Sequence, residues 1–244
     1  YADGLGEPPT NTSFLFVFAF KKAGISQKSR VLEIGCGSGA VSGFLMQQGF
    51  KVTGVDTAEV LIDKANARYP TCEFIVGRSD DLPTKYDKSF DAICFFDVLE
   101  HLDDPIQTLK SIKRFAKDSC YIFVTVPACQ DLFTTVDALS GHKKRYNLHE
   151  MKALMIEAGY KGCQERGIFR TMLPFMKRNR NVLDKRYANL DKENDSTKIL
   201  IENMKIPNAL VNSILHGLCE IEKTAGFDIA CDKIGATILA TAHM

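Results

Sequence analysis

The sequence predicts an α/β fold in which helices cover both faces of a mostly parallel sheet. From Arg30 onward, short apolar strands alternate with amphipathic helices, which is the pattern of a doubly wound sheet. A glycine-rich turn joins the first predicted strand to the first predicted helix. The 244 residues, 45% of them hydrophobic, suffice for one domain with a substantial core, and they exclude a disordered or fibrous chain.

The charge balance and the cysteines narrow the class of protein further. Lys plus Arg total 31 and Asp plus Glu total 30, so the net charge of +1 provides no global field that would attract nucleic acid or a membrane surface. The eight cysteines include no CxxC pair and mostly interrupt apolar runs. We therefore expect reduced thiols in a cytoplasmic protein, with no disulfide framework and no metal site. The early apolar run at 14–20 is too short for a membrane span.

The predicted elements follow in chain order. Strands are expected at 31–34, 52–55, 74–76, 92–96, 121–126, 161–169 and 234–240. The first helix ends at Gly49, in the usual C-terminal cap position, and the second, at 58–68, stops before Pro70. Asp104 followed by Pro105 begins a third helix. A capping box of Asn147 and Glu150 begins a fourth helix, which ends at Gly159.

Periodicity weakens after residue 169 for roughly fifty residues, which exceeds an ordinary loop and predicts inserted helices. The apolar residues there at helical spacing are expected in the core: Met172, Leu173, Phe175, Met176, Leu210, Ile214, Leu215 and Leu218. We interpret the chain, 1–244, as a single domain. It consists of a ligand-binding core at 11–169, a helical insertion at 170–228 and a last strand within 229–244.

A glycine loop at 35–39 directly follows the first strand and precedes the first helix, where residues without a Cβ let a ligand approach the backbone closely. Asp56, at the end of the second strand, is placed to accept hydrogen bonds from ribose hydroxyls. Together they predict an adenosine cofactor, although Gly35, Gly37 and Ala40 also satisfy the dinucleotide pattern GxGxx[G/A]. The alternative is that the glycines only form a tight turn and that Asp56 caps the next helix.

Four stretches break this tie: VLEIGCGSG, VTGVD, FDAICFFDVLEHLDDP and a strand ending in VTVP. Together they resemble the class I S-adenosylmethionine-dependent methyltransferases, in particular the small-molecule branch that includes ubiquinone-biosynthesis O-methyltransferases. The resemblance covers about residues 30–169. It implies a Rossmann-like sheet of seven strands with the last strand antiparallel, and S-adenosyl-L-methionine as the cofactor. An NAD(P)-dependent oxidoreductase is the weaker alternative, because DVLEHLDDP is not expected in a dehydrogenase.

The resemblance also implies which residues bind the cofactor. They are Glu33, Gly35, Cys36, Gly37, Gly39, Asp56, Thr57, Ser79, Asp80, Phe96 and Asp97. The three glycines would line the methionine moiety, Glu33 would act as an acceptor toward its ammonium from behind the loop, and Asp56 would hold both ribose hydroxyls. Phe96 would border the methionine and the sulfonium, or would be an ordinary core aromatic.

One segment departs from the family pattern. Most relatives read approximately GDAxDLP after the third strand, whereas this chain reads GRSDDLP and places Arg78 where an acid is expected. An arginine carries only donors and cannot accept a hydrogen bond from the adenine amine. Either Ser79 or Asp80 therefore accepts that bond, or Arg78 stacks on the adenine ring.

Two histidines are the candidate catalytic bases, because an imidazole titrates near neutrality. His101 follows Glu100 at the expected mouth of the site, and His142 lies in GHKKRY, which resembles the family's GHxRxY segment over the substrate pocket. Each has a structural alternative as a loop residue. Arg145 and Tyr146 are the candidate substrate ligands, since a basic loop could bind a phosphate or carboxylate. A solvated basic loop is the alternative for that segment.

The expected function is transfer of a methyl group from S-adenosylmethionine to oxygen or nitrogen of a small-molecule acceptor. A second basic cluster at 177–180 makes an anionic acceptor plausible, and the insertion at 170–228 would cap the acceptor pocket. The alternative from another class is an inactive nucleotide-binding scaffold of the same fold. We expect no nucleic-acid or membrane partner, and a monomer or homodimer.

Overall fold

A computed structural model describes residues 17, 19–168, 173–187 and 237–244. Its sheet has seven strands: β1 (Arg30–Ile34), β2 (Lys51–Asp56), β3 (Glu73–Val76), β4 (Phe90–Phe96), β5 (Ala116–Pro127), β6 (Lys161–Ile168) and β7 (Thr237–His243). They lie in the order β3-β2-β1-β4-β5-β7-β6. The chain therefore starts in the middle of the sheet and winds outward first on one side and then on the other.

Strand direction confirms the predicted doubly wound sheet with an antiparallel last strand. The strands β1 to β5 pair in parallel, whereas β7 runs antiparallel to both β5 and β6. The prediction of 234–240 for the last strand was wrong at its C-terminal end, because β7 continues to His243. Its pairing with β5 runs from Thr237 opposite Pro127 to His243 opposite Tyr121. Residues 234–236 lie outside the described residues.

The described helices are α1 (Ala40–Gln47), α2 (Glu59–Arg68), α3 (Pro105–Ser111), α4 (Thr135–Leu139), α5 (Leu148–Glu157) and α6 (Leu173–Tyr187). Residues 19–22 before β1 are also helical. The predicted caps are present: Asp104 accepts a hydrogen bond from the Gln107 amide, and Asn147 and Glu150 bond reciprocally at the start of α5. Sequence periodicity did not predict α4, whose five residues span less than two turns.

The predicted insertion is described only over α6. Of its apolar residues, Leu173 and Met176 are half-buried. Residues 169–172 and 188–236, with Met172, Leu210, Ile214, Leu215 and Leu218, lie outside the described residues. The division of the chain at 169 and 228 therefore stays a prediction. None of the described helices combines the length and the apolar character that crossing a membrane requires.

Two hydrophobic clusters lie on opposite faces of the sheet. Leu32 and Phe95 belong to one cluster, and their neighbours along the strands, Val31 and Cys94, belong to the other. All four side chains are 0% exposed, as expected for parallel strands covered by helices on both sides. Since both faces are closed, a ligand has to approach the sheet at the ends of its strands.

Candidate active site

A cavity of about 390 Å³ lies at the carboxyl ends of β1, β2 and β4. It is bordered by Ile34, Gly35, Val55, Asp56, Thr57, Gly77, Arg78, Ser79, Asp80, Asp97, Val98, His101, Leu102 and Thr108. Small-molecule sites typically enclose about 300–1,000 Å³. The cavity lies beside β1, where the strand order reverses: β2 follows on one side of β1 and β4 lies on the other. This is the usual ligand position in a doubly wound sheet.

Of the predicted glycines in the loop 35–39, Gly35 borders the cavity, whereas Gly37 and Gly39 do not. The three glycines also differ in what surrounds them. Gly35 has φ +72°, and a Cβ there would lie 2.5 Å from a Val98 methyl carbon. Gly39 has φ +76°, and a Cβ there would lie 2.7 Å from the Phe74 ring. Gly37 has φ +51° but would meet no atom within 4 Å. Gly35 and Gly39 are thus required by packing, whereas Gly37 leaves open space beside the backbone.

Asp56 joins the glycine loop to the end of β2. Its Oδ2 accepts a hydrogen bond from the Gly37 amide at 2.8 Å, and its Oδ1 accepts one from the Ala58 amide at 2.9 Å. The carboxylate also borders the cavity, as does Thr57. An ionised carboxyl group has about four acceptor positions, so two remain for a ligand. Ala58 is itself the N-cap residue of α2, and the helix has no side-chain cap bond, so the alternative that Asp56 caps it is wrong. The ribose contact stays a prediction.

Glu33 precedes the glycine loop and Cys36 belongs to it, and neither is among the residues that border the cavity. Glu33 is 2% exposed and accepts a hydrogen bond from the Ser42 hydroxyl on α1. Burial raises the pKa of this carboxyl to about 8. Cys36 is also buried, and burial raises the pKa of its thiol. The expected role of Glu33 toward a ligand ammonium stays a prediction.

We expect Glu33 to make the free energy of unfolding fall as pH rises. The folded protein holds a proton on this carboxyl up to about pH 8, whereas the unfolded chain releases it near 4.5. This stabilisation is complete below the unfolded pKa and is lost as pH passes through the folded pKa, with a slope of up to about 1.4 kcal/mol per pH unit. Urea denaturation from about pH 5 to pH 9 should give a shallower decline for Glu33→Gln, because glutamine mimics the neutral acid. Equal slopes in the two proteins would contradict this assignment, and Asp63→Asn on the exposed side of α2 is the control.

The segment after β3 brings all three adenine-side candidates to the cavity. Ser79 is buried, whereas Arg78 and Asp80 are exposed and form an ion pair with 3.1 Å between Nε and Oδ1. The alternatives for the adenine contact remain predictions. An exposed ion pair contributes little, so Arg78 and Asp80 stay available to a ligand, and the Ser79 hydroxyl is the buried one of the three candidates.

Phe96 and Asp97, two predicted cofactor ligands at the end of β4, lie in different surroundings. Phe96 packs against the hydrophobic cluster of Val31 and Cys94, which fits its alternative as a core aromatic, and it does not border the cavity. Asp97 borders the cavity with a left-handed backbone, φ +56°, and its Oδ1 accepts a hydrogen bond from the Thr125 hydroxyl at 3.0 Å. Burial raises the pKa of the Asp97 carboxyl.

His101 and His142 lie together, with ring centroids 4.8 Å apart at 78°. His101 borders the cavity. Its pKa is lowered, mainly by desolvation and in second place by the charge of the nearby His142. His142 stands behind it, with Nδ1 3.0 Å from Asp137 Oδ1 and Nε2 4.0 Å from Glu100 Oε1. Glu100 is fully buried, and burial raises its pKa to about 9. Glu100, His101 and His142 each place one possible ligand atom within 4.8 Å of the other two, so they could hold a metal ion, which the sequence did not lead us to expect.

Arg145 and Tyr146 have structural partners in place of the predicted acceptor. The Arg145 guanidinium is 11% exposed and donates from Nε and Nη2 to Asp137 and from Nη1 to the Ala128 carbonyl. Tyr146 is buried and donates to the Leu99 carbonyl at 3.2 Å, and burial raises its pKa to about 12. Neither residue borders the cavity. Because the buried Asp137 already engages the guanidinium, an anionic acceptor would have to compete with it, and the predicted role as anion ligands stays a prediction.

The sheet order, the antiparallel β7 and the cavity at the glycine loop define the class of Rossmann-like S-adenosylmethionine-dependent methyltransferases. Phosphoethanolamine N-methyltransferase 2 of Haemonchus contortus, solved with S-adenosyl-L-methionine, superimposes with a TM-score of 0.60 at 16% identity, over 96% of this chain and 52% of that one. Such an identity shows the fold alone. The chain belongs to the family described as methyltransferase domain, whose sequence profile matches residues 11–165.

Curated relatives agree with this family. A Mycobacterium tuberculosis protein named "Probable S-adenosylmethionine-dependent methyltransferase" is 28% identical over 141 residues, 57% of this chain and 51% of that protein. The ubiquinone biosynthesis O-methyltransferase of Saccharophagus degradans is 26% identical over 107 residues, 42% of this chain and 45% of that enzyme. The chain thus spans about half the length of these relatives.

Proposed function

We propose that the protein binds S-adenosyl-L-methionine in the cavity and transfers its methyl group to an oxygen or nitrogen of a small metabolite. The observation that carries this proposal is the joint placement of Asp56 and the glycine loop. The Asp56 carboxylate bonds to the Gly37 amide and borders the cavity with acceptor positions to spare. A ribose with two adjacent hydroxyls matches those positions, and a ligand can approach the backbone closely where the loop has no Cβ.

Several residues that border the cavity carry groups that suit this cofactor. Bound S-adenosylmethionine supplies a methyl group that is already activated for displacement by its sulfonium. The chain has to bind and orient the two reactants and exclude water, and orientation alone can contribute about 7–11 kcal/mol. In the proposed complex Asp56 holds the ribose, Ser79 or Asp80 accepts from the adenine amine, and Asp97 lies toward the methionine end. Glu33 attaches α1, the helix that follows the loop, through Ser42.

His101 is the proposed base when the acceptor is a hydroxyl. It borders the cavity, and its lowered pKa keeps the imidazole neutral and able to accept a proton near pH 7. Such a base contributes roughly two to four powers of ten in rate. His142 supports it from behind, next to Asp137 and Glu100. The relatives named above include an O-methyltransferase and an N-methyltransferase, so the proposal covers both acceptor atoms.

The proposal also covers the acceptor pocket, the oligomeric state and the cellular compartment. The insertion at 170–228 would cap the acceptor pocket, and the protein would act in the cytoplasm as a monomer or homodimer. Support for a reducing compartment comes from the described cysteines, which are free thiols at six buried or half-buried positions.

Calorimetry with S-adenosylmethionine and with NAD tests the cofactor. We expect binding of the former and none of the latter, and binding of NAD alone would overturn the proposal. A methyl-transfer screen against hydroxylated and aminated metabolites then tests activity. Tight cofactor binding without product in such a screen would favour the alternative of an inactive scaffold.

A further inference from the structure

A cluster of three potential metal ligands lies at the edge of the cavity. Glu100 and His101 follow β4, and His142 comes from the segment between α4 and α5. Each residue offers one ligand atom, and the three atoms lie within 4.8 Å of one another. We propose that Glu100, His101 and His142 bind one divalent transition-metal ion.

The distances suit a single ion after a small side-chain adjustment. Zinc lies about 2.0–2.2 Å from nitrogen and carboxylate oxygen ligands, so two ligands of one ion are at most about 4.4 Å apart. The 4.0 Å between His142 Nε2 and Glu100 Oε1 is already within that limit. The widest separation, 4.8 Å, exceeds it by only about 0.4 Å. His101 is exposed, so a rotation of its side chain can close this gap.

Glu100 provides an independent reason to expect a cation. Its side chain is 0% exposed, and neither carboxyl oxygen has a hydrogen-bond partner. A buried carboxyl group without a partner costs free energy, and buried charges in proteins are normally paired or coordinate a metal. The His142 imidazole stands 4.0 Å from Glu100 Oε1, too far for a hydrogen bond. An ion between them would satisfy both residues.

His142 is held in the way that metal-binding histidines usually are. A ligating histidine generally donates its other ring N–H to a carboxylate, which fixes the tautomer and the ring orientation. Here Nδ1 faces Asp137 Oδ1 at 3.0 Å, while Nε2 faces Glu100. Asp137 is itself buried and is fixed by Arg145 and by the Thr134 amide. This network leaves the lone pair of Nε2 directed into the cluster.

The ligand set indicates the kind of ion. Two imidazoles and one carboxylate suit Zn²⁺ and related transition metals, whereas Mg²⁺ and Ca²⁺ prefer oxygen ligands. With three protein ligands the ion keeps an open position, and His101 places that position beside the cavity. A bound ion would lower the pKa of an acceptor hydroxyl that coordinates there, and it would then take over the activation of the acceptor from His101, whose lone pair it occupies. This role rests on the proposed methyl transfer, but metal binding does not.

The test is a titration of the chelator-treated full chain with Zn²⁺ in competition with a chromophoric chelator, and with Co²⁺ followed by its visible spectrum. We expect one ion per chain for the native protein and for His149→Ala, a matched control on the exposed side of α5. Glu100→Gln and His142→Ala should bind at least tenfold more weakly. Asp137→Asn should lose about 10- to 100-fold through misorientation of His142.

Several results would overturn the proposal: no bound ion in the native protein, equal affinity in His142→Ala, or cobalt–thiolate absorption, which would place the ion on cysteines. S-adenosylmethionine binding measured in parallel separates the possible failures. A variant that loses Zn²⁺ but keeps the cofactor is folded and supports the site. If His142→Ala loses both ligands, Glu100→Gln decides, because it keeps the size of the buried side chain. Native protein that binds Zn²⁺ but not S-adenosylmethionine contradicts the proposed function alone.

Discussion

Asp56→Ala is expected to weaken S-adenosylmethionine binding at least 100-fold. In the proposed complex the carboxylate accepts two hydrogen bonds from the ribose, and a hydrogen bond to a charged group contributes about 1.5–3 kcal/mol. Two such bonds amount to about 3 kcal/mol or more, and each 1.4 kcal/mol is about a factor of ten in affinity. The substitution also removes the acceptor of the Gly37 amide, while the Gly35 and Cys36 amides keep their bonds to the Val55 carbonyl of β2. Titration calorimetry measures the loss directly.

Two companion variants make this result interpretable. Asp63→Ala removes a carboxylate from the exposed face of α2 and should leave affinity unchanged. Asp56→Asn keeps an acceptor oxygen but removes the charge, so its affinity should fall between those of the native protein and Asp56→Ala. Affinity in Asp56→Ala within about threefold of native, with urea denaturation showing a folded protein, would rule out the proposed ribose contact.

Gly39→Ala is expected to lower the free energy of unfolding by about 2–6 kcal/mol. The residue has φ +76°, and its new Cβ would lie 2.7 Å from the Phe74 ring and 2.9 Å from the Ala65 Cβ. A non-glycine residue held in the left-handed region costs about 1–3 kcal/mol, and overpacking a filled core costs about 1–3 kcal/mol more. Urea denaturation should therefore show a lower midpoint with an unchanged slope.

Gly37→Ala is the matched comparison, because it has the same change and a similar backbone with φ +51° but no neighbour within 4 Å of the new Cβ. Only the backbone cost applies, so the loss of stability should be about 1–3 kcal/mol and smaller than in Gly39→Ala. Equal losses in the two variants would show that contact with Phe74 and Ala65 does not constrain the loop.

The parts of the fold that the sequence predicted are those set by local chemistry. Asp104 caps a helix through its own neighbour Gln107, and the Asn147–Glu150 capping box spans only three residues. Each bond can therefore be read from spacing alone. The extent of β7 is different, because it depends on pairing with β5, more than a hundred residues earlier in the chain.

The same distinction explains the candidate site. Asp56 and the glycine loop follow strands at short spacing, so the sequence placed them at one sheet edge. The burial of Glu100 and the Asp137 partner of Arg145 arise from tertiary packing, and α4, which carries Asp137, is too short to show periodicity. Phe96 was ambiguous because β4 is buried on both faces, so no alternation of polar and apolar residues shows which way its side chain points.

The position of β7 between β5 and β6 has a consequence for how the protein forms in the cell. β7 is the last described strand to leave the ribosome, yet its two neighbours bond to it and not to each other. Until residue 243 has been synthesised, the edges of β5 and β6 that β7 will later pair are therefore open. Open strand edges are templates for association with other chains. Shielding of these edges by molecular chaperones during translation would protect that half of the sheet until its central strand arrives.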